Sequence, residues 1–461
     1  MGGYHILTLL PIVVVIIFAL KTKRTLEALL LGTILSYIIT DGANFVSAWT
    51  DAFFRAAANV ENQEILFMCG LFGSLVALIG ASHGTLGFAK WISKCCRGPK
   101  STLIVTWIMG ILIFIDDYLN IMTLGTCMKR LSDKRKVPRE ALAYVIDSTG
   151  APVCVLLPFS TWAVFFATLF YQEAGVAELG YGDAMQTYMH TVPFMFYAVA
   201  AVVIVPFFIM NIIPKFGWMK RAYKRVEETG HVYEDDCRHL NEQDEKEEME
   251  EECDPKVKGN IMDFLLPMGV LVVVTIISGE LFYAILASFV ACFFLYIPRK
   301  KMTFGRFCDI YIHGFMQMIP TLAIIFAAFI MQQAMMDIHM TDYIISIVEP
   351  VTSPVIYPAI VFLATAVLTF STGSSWGIPA ICIPVMMPLA VSIGADLVLV
   401  MGALVSGATL GSHACFYSDA TVLTSSYCKI ENMEHAISQI PYAALAAGTG
   451  LSGYLVCGFL F

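Results

Sequence analysis

The chain has 461 residues, of which 58% are hydrophobic and 14% are charged, and its mean hydropathy is +0.73. A soluble domain carries about 25% charged residues, so this composition excludes a soluble enzyme and a nucleic-acid-binding protein and indicates an integral membrane protein. The formal net charge of −9 says little about a substrate, because 12 of the 37 acidic residues lie in one tract at 234–254.

Lysine and arginine residues predict the membrane topology, because they accumulate in cytoplasmic loops. Six clusters hold 27 of the 28, and we place them inside: 21–24, 90–100, 129–139, 215–258, 299–306 and 429. Arg55 alone remains for the outer face. Both termini are therefore predicted to lie outside, and residues 214–260, which include the acidic tract, to form a solvated cytoplasmic linker.

Apolar stretches of spanning length make up most of the first half, residues 1–213. In order, we predict two spans, an amphipathic segment on the outer face and a third span, at about 5–21, 25–40, 41–62 and 63–84. Residues 101–127 have basic clusters on both sides and are too few for two crossings of about 20 residues each, so a re-entrant hairpin is predicted. A broken helix at 139–170 then crosses outward, and 188–213 returns.

The second half, residues 261–461, repeats this order in the opposite orientation. Two spans, an amphipathic segment on the inner face and a third span are predicted at 261–278, 281–298, 302–316 and 319–337. A re-entrant hairpin at 353–394, a broken helix at 397–427 and a last span at 437–461 follow. The predicted fold is an all-α polytopic membrane protein with two inverted-topology repeats, an arrangement typical of secondary transporters.

The first candidate site is the tip of the first hairpin, "FIDDYLN", with Asp116, Asp117 and Asn120. A carboxylate buried in lipid must be neutralised or paired, so two adjacent ones indicate a function. On a regular helix neighbouring side chains point about 100° apart, whereas at an unwound tip they converge, or one binds while the other caps a helix. The structural alternative is that both carboxylates only cap the hairpin end.

The second candidate site is "YVIDSTGAPVCVLLPFST" at 144–161, where Asp147, Ser148 and Thr149 precede Gly150 and Pro152, and Pro158 follows. Glycine and proline interrupt the helix and free backbone carbonyls beside these oxygen-bearing side chains. Such an oxygen cage suits sodium. A plain kinked helix explains the proline but not the carboxylate.

The third candidate site is "FSTGSSWG" at 370–377 in the second hairpin, with hydroxyl groups from Ser371, Thr372, Ser374 and Ser375. Helix packing through small residues is the competing interpretation there. The fourth candidate site lies in "SGATLGSHACFYSDATVLTSS" at 406–426. We expect Gly407 and Gly411 to break the helix and His413 and Asp419 to act together. Ser418 and Thr421 complete this set, although a lone histidine is more often structural.

Two adjacent buried carboxyl groups favour holding a proton, because desolvation and like charge both disfavour a second negative charge. A cation that enters the site stabilises the ionised form and expels the proton. Mutually exclusive occupancy combined with alternating access is antiport. The sodium candidates are Asp117, Asp147 and Asp419, and no cofactor is expected beyond Na⁺ and H⁺ as transported or coupling ions.

The four motifs, together with "QIPYA" at 439–443, resemble the NhaC-type Na⁺/H⁺ antiporter family of the ion transporter superfamily. The likeness spans nearly the whole chain, with the motifs in the same order. It implies a multi-pass transporter of the cytoplasmic membrane that works as a homodimer by an elevator-like movement. It also implies that Asp116, Asp117, Asp147 and Asp419 contribute to the binding site.

One position departs from the family pattern: an acidic residue commonly precedes the histidine of the fourth motif, and this chain has Ser412. Relatives of the family transport amino acids or carboxylates, so a Na⁺- or H⁺-coupled transporter of a small organic solute is the alternative to sodium/proton exchange. A membrane enzyme is not expected, because no predicted span carries the GxGD motif of an intramembrane aspartyl protease. The sequence "GYGD" at 180–183 lies in the loop 171–187, which is predicted outside, and the HExxH motif of a metalloprotease is absent from the sequence.

Overall fold

The computed structural model describes residues 5–22, 24–158, 160–173, 175–242, 259–348, 350 and 353–460. Over these ranges the chain forms α-helices and short 3-10 segments and no β-strand. Five helices in the described part are long and apolar enough to cross a membrane, or six if the pair Ala184–Phe194 and Phe196–Ile209, bent by 57°, forms one span. The protein is an all-α polytopic membrane protein, as the sequence predicts.

The helices of the first half run from the described N-terminal residues to the linker. They are α1 (Leu10–Thr22), α2 (Thr25–Asp41), α3 (Phe45–Ala58), α4 (Val60–Ala81), α5 (Gly84–Ile92), α6 (Pro99–Leu112), α7 (Asp117–Lys134), α8 (Arg139–Asp147), α9 (Ala151–Cys154), α10 (Thr161–Tyr171), α11 (Ala184–Thr191) and α12 (Phe196–Ile209). Short 3-10 segments occupy His5–Leu9, Gly42–Asn44, Ala177–Leu179 and Val192–Phe194.

The linker and the second half contribute the remaining described helices. They are α13 (Gly217–Thr229) in the linker, then α14 (Met262–Ser278), α15 (Leu281–Tyr296), α16 (Phe304–Gln317), α17 (Ile319–Asp337), α18 (Met340–Val348), α19 (Tyr357–Thr372), α20 (Gly377–Ile393), α21 (Leu397–Ala414), α22 (Asp419–Cys428) and α23 (Asn432–Leu460). A further 3-10 turn covers Asp235–Cys237.

The two halves exchange contacts reciprocally. Helix α17 of the second half packs against α2 and α3 of the first, and α4 of the first half packs against α15 and α16 of the second. The amphipathic helix of each half, α3 or α16, thus lies on the third span of the other half. Each half buries its apolar surface against its counterpart, which joins them into one body.

Helix interruptions fall inside the stretches predicted as hairpins. Residues 113–116 separate α6 from α7, and residues 373–376 separate α19 from α20. Gly373 ends α19 with φ of +67°, and a Cβ atom there would lie 2.8 Å from the Tyr417 ring. Only glycine adopts this positive φ and leaves room for the Tyr417 ring without strain. The re-entrant path of these hairpins through the membrane stays a prediction.

The break in the last broken helix lies elsewhere than expected. Gly407 and Gly411 were expected to interrupt it, but both lie inside α21, and the interruption falls at 415–418, where Ser418 caps α22. The glycines instead allow close packing with α19. A Cβ atom on Gly407 would lie 2.7 Å from the Phe362 carbonyl oxygen, and one on Gly411 would lie 2.3 Å from Thr369 Cβ.

We expect Gly411→Ala to lower the midpoint of thermal unfolding by several degrees, because overpacking a tight contact costs about 1–3 kcal/mol. Gly448→Ala in α23 is the matched control, since nothing lies within 4 Å of a Cβ atom at that position. Alanine is the better helix former, so the control keeps or raises the midpoint. Thermal unfolding of the purified proteins in detergent measures both, and equal midpoints would contradict the packing role of Gly411.

The beginning of the linker is packed, which corrects the interpretation of the acidic tract as wholly solvated. Cys237 and Asn241 are 0% exposed, and α13 packs against α8 and α23. Asn241 donates to the Lys429 carbonyl at 3.0 Å and accepts a hydrogen bond from the buried Arg139. Two uncharged side chains inside the tract provide the anchor while charged neighbours remain outside. The residues from 243 to 258 lie outside the described part.

We expect Asn241→Ala to destabilise the protein by about 1–3 kcal/mol, because the buried Arg139 guanidinium loses an acceptor. Glu242→Ala, at the exposed neighbouring position, is the control and should leave the unfolding midpoint unchanged.

Shortening the tract within 243–256 should leave turnover close to wild type. A large loss of turnover on shortening would show that the tract regulates transport.

Candidate functional site

All four predicted aspartates are buried at helix interruptions. Asp116, Asp117, Asp147 and Asp419 have exposed fractions of 4%, 1%, 2% and 9%. Asp116 caps α7 and Asp117 is its first residue, Asp147 ends α8, and Asp419 begins α22. Three of the four lie where helix N-termini present backbone N–H groups, which favours negative charge.

The adjacent carboxylates of the first hairpin have different surroundings. Asp116 accepts hydrogen bonds from the Leu119 backbone N–H at 3.0 Å and from the Thr161 hydroxyl at 3.1 Å. Asp117 Oδ1 is buried and has no hydrogen-bond partner among the described residues. The first carboxylate thus caps the helix, and the second retains an oxygen that can bind a cation or carry a proton.

Asn120 ties two helix interruptions together. Its amide nitrogen donates to the carbonyls of Gly110, Ile113 and Thr149 at 2.6, 2.9 and 3.1 Å. Its Oδ1 atom is buried without a partner within the described ranges. The amide nitrogen of this predicted site residue serves the fold, and only its oxygen remains for a ligand.

Asp147 is the acceptor of a buried network that sequence reasoning found only in part. Its Oδ2 atom lies 2.8 Å from Gln439 Nε2, 3.0 Å from His435 Nε2 and 3.4 Å from the Thr421 hydroxyl. His435 and Gln439 were missed as site residues. They are four residues apart on α23, hence on one helix face. A histidine just before the predicted span 437–461 and a glutamine four residues later, inside that span, were the available signal.

His413 belongs to this network and does not contact Asp419, which corrects the expected pairing. Its Nε2 atom lies 3.1 Å from the Ser148 hydroxyl and its Nδ1 atom 2.7 Å from the Tyr197 hydroxyl. Its backbone carbonyl accepts a hydrogen bond from Gln439 at 2.5 Å. Because the chain turns at 415–418, the end of α21 directs His413 towards α8 and α12.

Asp419 faces the first hairpin instead. Its Oδ2 atom accepts a hydrogen bond from the Tyr118 hydroxyl, and its Oδ1 atom accepts one from the Ala420 backbone N–H at 2.8 Å. Ser418 stabilises the turn before it, because its hydroxyl donates to the Ser412 carbonyl at 2.6 Å. Tyr118 follows Asp117 directly, so Asp419 joins the carboxylate pair across the two halves.

Several predicted hydroxyl groups are already bonded to the backbone. Thr149 donates to the Val145 and Ile146 carbonyls at 3.0 Å, and Thr372 donates to the Leu368 carbonyl at 2.8 Å. Thr372 bonds within α19, and Thr149, two residues after the end of α8, bonds back to the last turn of α8, a local pattern common for threonine. The protons of these hydroxyls therefore stabilise helix ends, and Thr149 is not among the hydrogen-bond donors to Asp147 in the described part.

The serines of the second hairpin differ in what they leave available. Ser374 accepts hydrogen bonds from Gln332 at 2.9 Å and from the Gly377 backbone N–H at 3.1 Å. Ser371 accepts one from the Tyr417 hydroxyl through its carbonyl at 2.5 Å. Ser375 is 2% exposed, and its hydroxyl has no hydrogen-bond partner in the described part. Ser375 thus offers a buried hydroxyl that a ligand could satisfy.

A cavity of about 580 Å³ connects the two hairpins. Its described lining includes five predicted site residues: Asp116, Thr372, Ser374, Ser375 and Asp419. The other predicted residues do not line it, namely Asp117, Asn120, Asp147, Ser148, Thr149, Ser371, His413, Ser418 and Thr421. The site therefore has an open part with two carboxylates and a closed network around Asp147. Thr421, two residues after Asp419, has its hydroxyl 3.4 Å from Asp147 Oδ2, so α22 connects the two parts.

Ser412, the position that departs from the family pattern, is 0% exposed, and its hydroxyl has no partner among the described residues. A carboxylate there would add another buried charge next to His413. With serine at position 412, Asp147 is the carboxylate that contacts the buried histidine His435 in the network described above.

Comparison with known proteins identifies relatives. Residues 153–459, more than half of the chain, match the sequence profile of the Na⁺/H⁺ antiporter family. An uncharacterized protein of Haemophilus influenzae is 26% identical over 493 aligned residues, which cover 98% of this chain and 91% of that protein. The malate-2H⁺/Na⁺-lactate antiporter of Bacillus subtilis is 32% identical over 110 residues, which cover 23% of this chain and 24% of the antiporter.

Proposed function

Because the chain is a member of the Na⁺/H⁺ antiporter family, we propose that it exchanges sodium for protons through its buried aspartates. The family indicates a transporter rather than an enzyme. The observation that carries the mechanism is that four aspartates, each at most 9% exposed, lie at helix interruptions and two of them line one cavity. A buried carboxylate needs a neutralising partner, and a proton and a sodium ion are alternative partners.

The hydrogen bonds of each aspartate indicate which of them are available to bind the cation. Asp147 is already satisfied by donors from His435, Gln439 and Thr421, which makes it the least available for direct cation binding. Asp117 has an unpartnered oxygen, and Asp419 lines the cavity. We therefore assign the cation first to Asp117 and Asp419. Asp116 and the Asn120 oxygen are further ligands within the proposal, and Asp147 with His413 couples the site to α21 and α23.

We also propose that the halves are inverted-topology repeats, at 1–213 and 261–461, joined by the linker 214–260. The reciprocal packing of α3 on α17 and of α16 on α4 supports this, as does the matching position of the two hairpin interruptions. In this proposal the protein lies in the cytoplasmic membrane with both termini outside and the linker inside. A homodimer with elevator-like movement provides alternating access.

An assay in everted membrane vesicles tests the exchange. Sodium alone should collapse a preformed pH gradient, with no organic solute present. Vesicles without the protein set the background. A gradient that sodium leaves intact, in vesicles that contain the folded protein, would overturn sodium/proton exchange.

Coupled transport of a small organic solute is the second candidate, and the size of the cavity favours it. About 580 Å³ lies within the range of small-molecule pockets and far exceeds the volume of a sodium ion. The Bacillus subtilis relative is named for exchange of organic acids. Flux that appears only when an amino acid or a carboxylate is added would select this function over simple exchange.

A further inference from the structure

We infer that the cavity between the hairpins binds an organic ammonium ion: a solute with an apolar body and a positively charged nitrogen. The inference rests on the proposed function, because the ammonium group binds to Asp419, one of the two carboxylates to which the metal cation is first assigned, and to Asp116, a further ligand in that proposal. It specifies the charge of the solute, which the family membership leaves open.

The charge of the cavity lining is the first argument. Asp116 and Asp419 lie at its buried end, and Glu64 and Glu280 are exposed residues of its lining. Among the described lining residues, Arg55 is the single cation. A cleft with walls of low dielectric and an excess of one sign of charge concentrates ligands of the opposite sign. This lining attracts cations and repels anions.

Arg55 does not offset this excess, because an acidic residue already neutralises it. Its guanidinium makes two hydrogen bonds to Asp337, at 2.5 and 3.1 Å. Tyr37 and Gln333 also donate to Asp337, at 2.6 and 2.9 Å, and hold it in place. A bidentate arginine–carboxylate pair of this kind is a stable unit. An anionic solute would have to compete with Asp337 for the guanidinium.

Aromatic rings are the second argument, because their faces attract cations. Six of the described lining residues are aromatic: Tyr118, Phe165, Phe282, Phe329, Trp376 and Tyr417. Trp376 and Phe165 pack edge to face with ring centroids 5.0 Å apart, which fixes the orientation of the indole. Rings next to carboxylates fit an ammonium group that continues into an apolar chain.

The hydrogen-bond capacity of the buried end is the third argument. An alkylammonium group has three N–H donors. Asp116 and Asp419 provide acceptors, and the Ser375 hydroxyl, which has no partner in the described part, provides another. A buried hydroxyl without a partner is costly, so a ligand that satisfies it gains affinity.

Two size-matched pairs of probes test the inference on the purified full-length protein. They are 2-phenylethylamine with 3-phenylpropionate, and n-butylamine with n-pentanoate. Isothermal titration calorimetry and the shift of the thermal unfolding midpoint measure binding, with and without sodium chloride at constant ionic strength. We expect at least one amine to bind and sodium to weaken it, with its matched carboxylate at least about tenfold weaker. Binding of a carboxylate as tightly as its matched amine, or no binding by either amine, would overturn the inference.

Variants locate the bound amine. Ser375→Ala should weaken binding about two- to tenfold, as expected for the loss of one hydrogen bond. Asp419→Asn should weaken it about tenfold or more, because a charge-assisted bond is lost. Asp183→Asn, at an exposed helix cap, is the control. Unchanged amine affinity in Asp419→Asn would overturn the location.

The vesicle assay separates this inference from the proposed function. Amine binding without any sodium-driven collapse of the pH gradient would overturn sodium/proton exchange and support the ammonium site. Sodium-driven collapse without amine binding would overturn the ammonium site and support the exchange function.

Discussion

Asp419→Asn is expected to reduce sodium-dependent proton exchange by about 100-fold or more. Asp419 lines the cavity and accepts a hydrogen bond from Tyr118, so it connects the solvent-accessible part of the site to the first hairpin. Asparagine has the same shape but can neither neutralise a cation nor release a proton. Two lost charge-assisted contacts of about 1.5–3 kcal/mol each produce an effect of this size.

Reconstituted proteoliposomes with an internal pH-sensitive dye measure this loss. The matched control is Asp183→Asn, which makes the same chemical change at the N-cap of α11, where asparagine caps a helix as well as aspartate does. The amount of protein in the membrane and its unfolding midpoint establish that the variant is folded. Exchange at the wild-type rate in Asp419→Asn would remove this residue from the site.

Asp147→Asn is expected to abolish coupled flux and also to destabilise the protein. One oxygen of Asp147 lies within hydrogen-bond distance of donors on His435, Gln439 and Thr421. Replacing a charged acceptor by an amide weakens these bonds, and a poorly satisfied buried polar group costs about 1–3 kcal/mol. Flux and the thermal unfolding midpoint, measured on the same preparation, report the two effects separately.

A double-mutant cycle with His435→Ala distinguishes a shared network from independent effects. Residues in one hydrogen-bond network are non-additive, so the midpoint of the double variant should fall by less than the sum of the single changes. Tyr197→Phe, which removes only the hydroxyl next to His413, is the milder control. Strict additivity of Asp147→Asn and His435→Ala would contradict the contact between the two side chains.

Local features of the sequence are enough to locate much of the site. Two adjacent aspartates in an apolar stretch predicted a helix interruption with one carboxylate as a cap, and Asp116 caps α7. Asp147 before a glycine and a proline predicted a helix end, and α8 ends there. These predictions depend on costs that each segment meets by itself, namely burial of a charge and loss of backbone hydrogen bonds.

The structural role of a glycine could not be predicted from the sequence, for a physical reason. The same missing Cβ atom permits a helix break or a close approach of two helices, and the sequence does not distinguish them. Gly373 adopts a left-handed conformation and ends α19, whereas Gly407 and Gly411 stay helical and pack against α19. Packing against neighbouring residues decided whether each glycine ended a helix or allowed two helices to approach.

The sequence by itself determined an all-α membrane protein with carboxylates at interrupted helices, because hydropathy and the cost of buried charge act along the chain. Only the tertiary structure decided which groups meet. His435 reaches Asp147 across 288 positions, Tyr118 reaches Asp419 across 301, and His413 turns away from the aspartate expected to be its partner. Hydrogen-bond partners so far apart in sequence are selected by how the helices pack, and no local pattern encodes that choice.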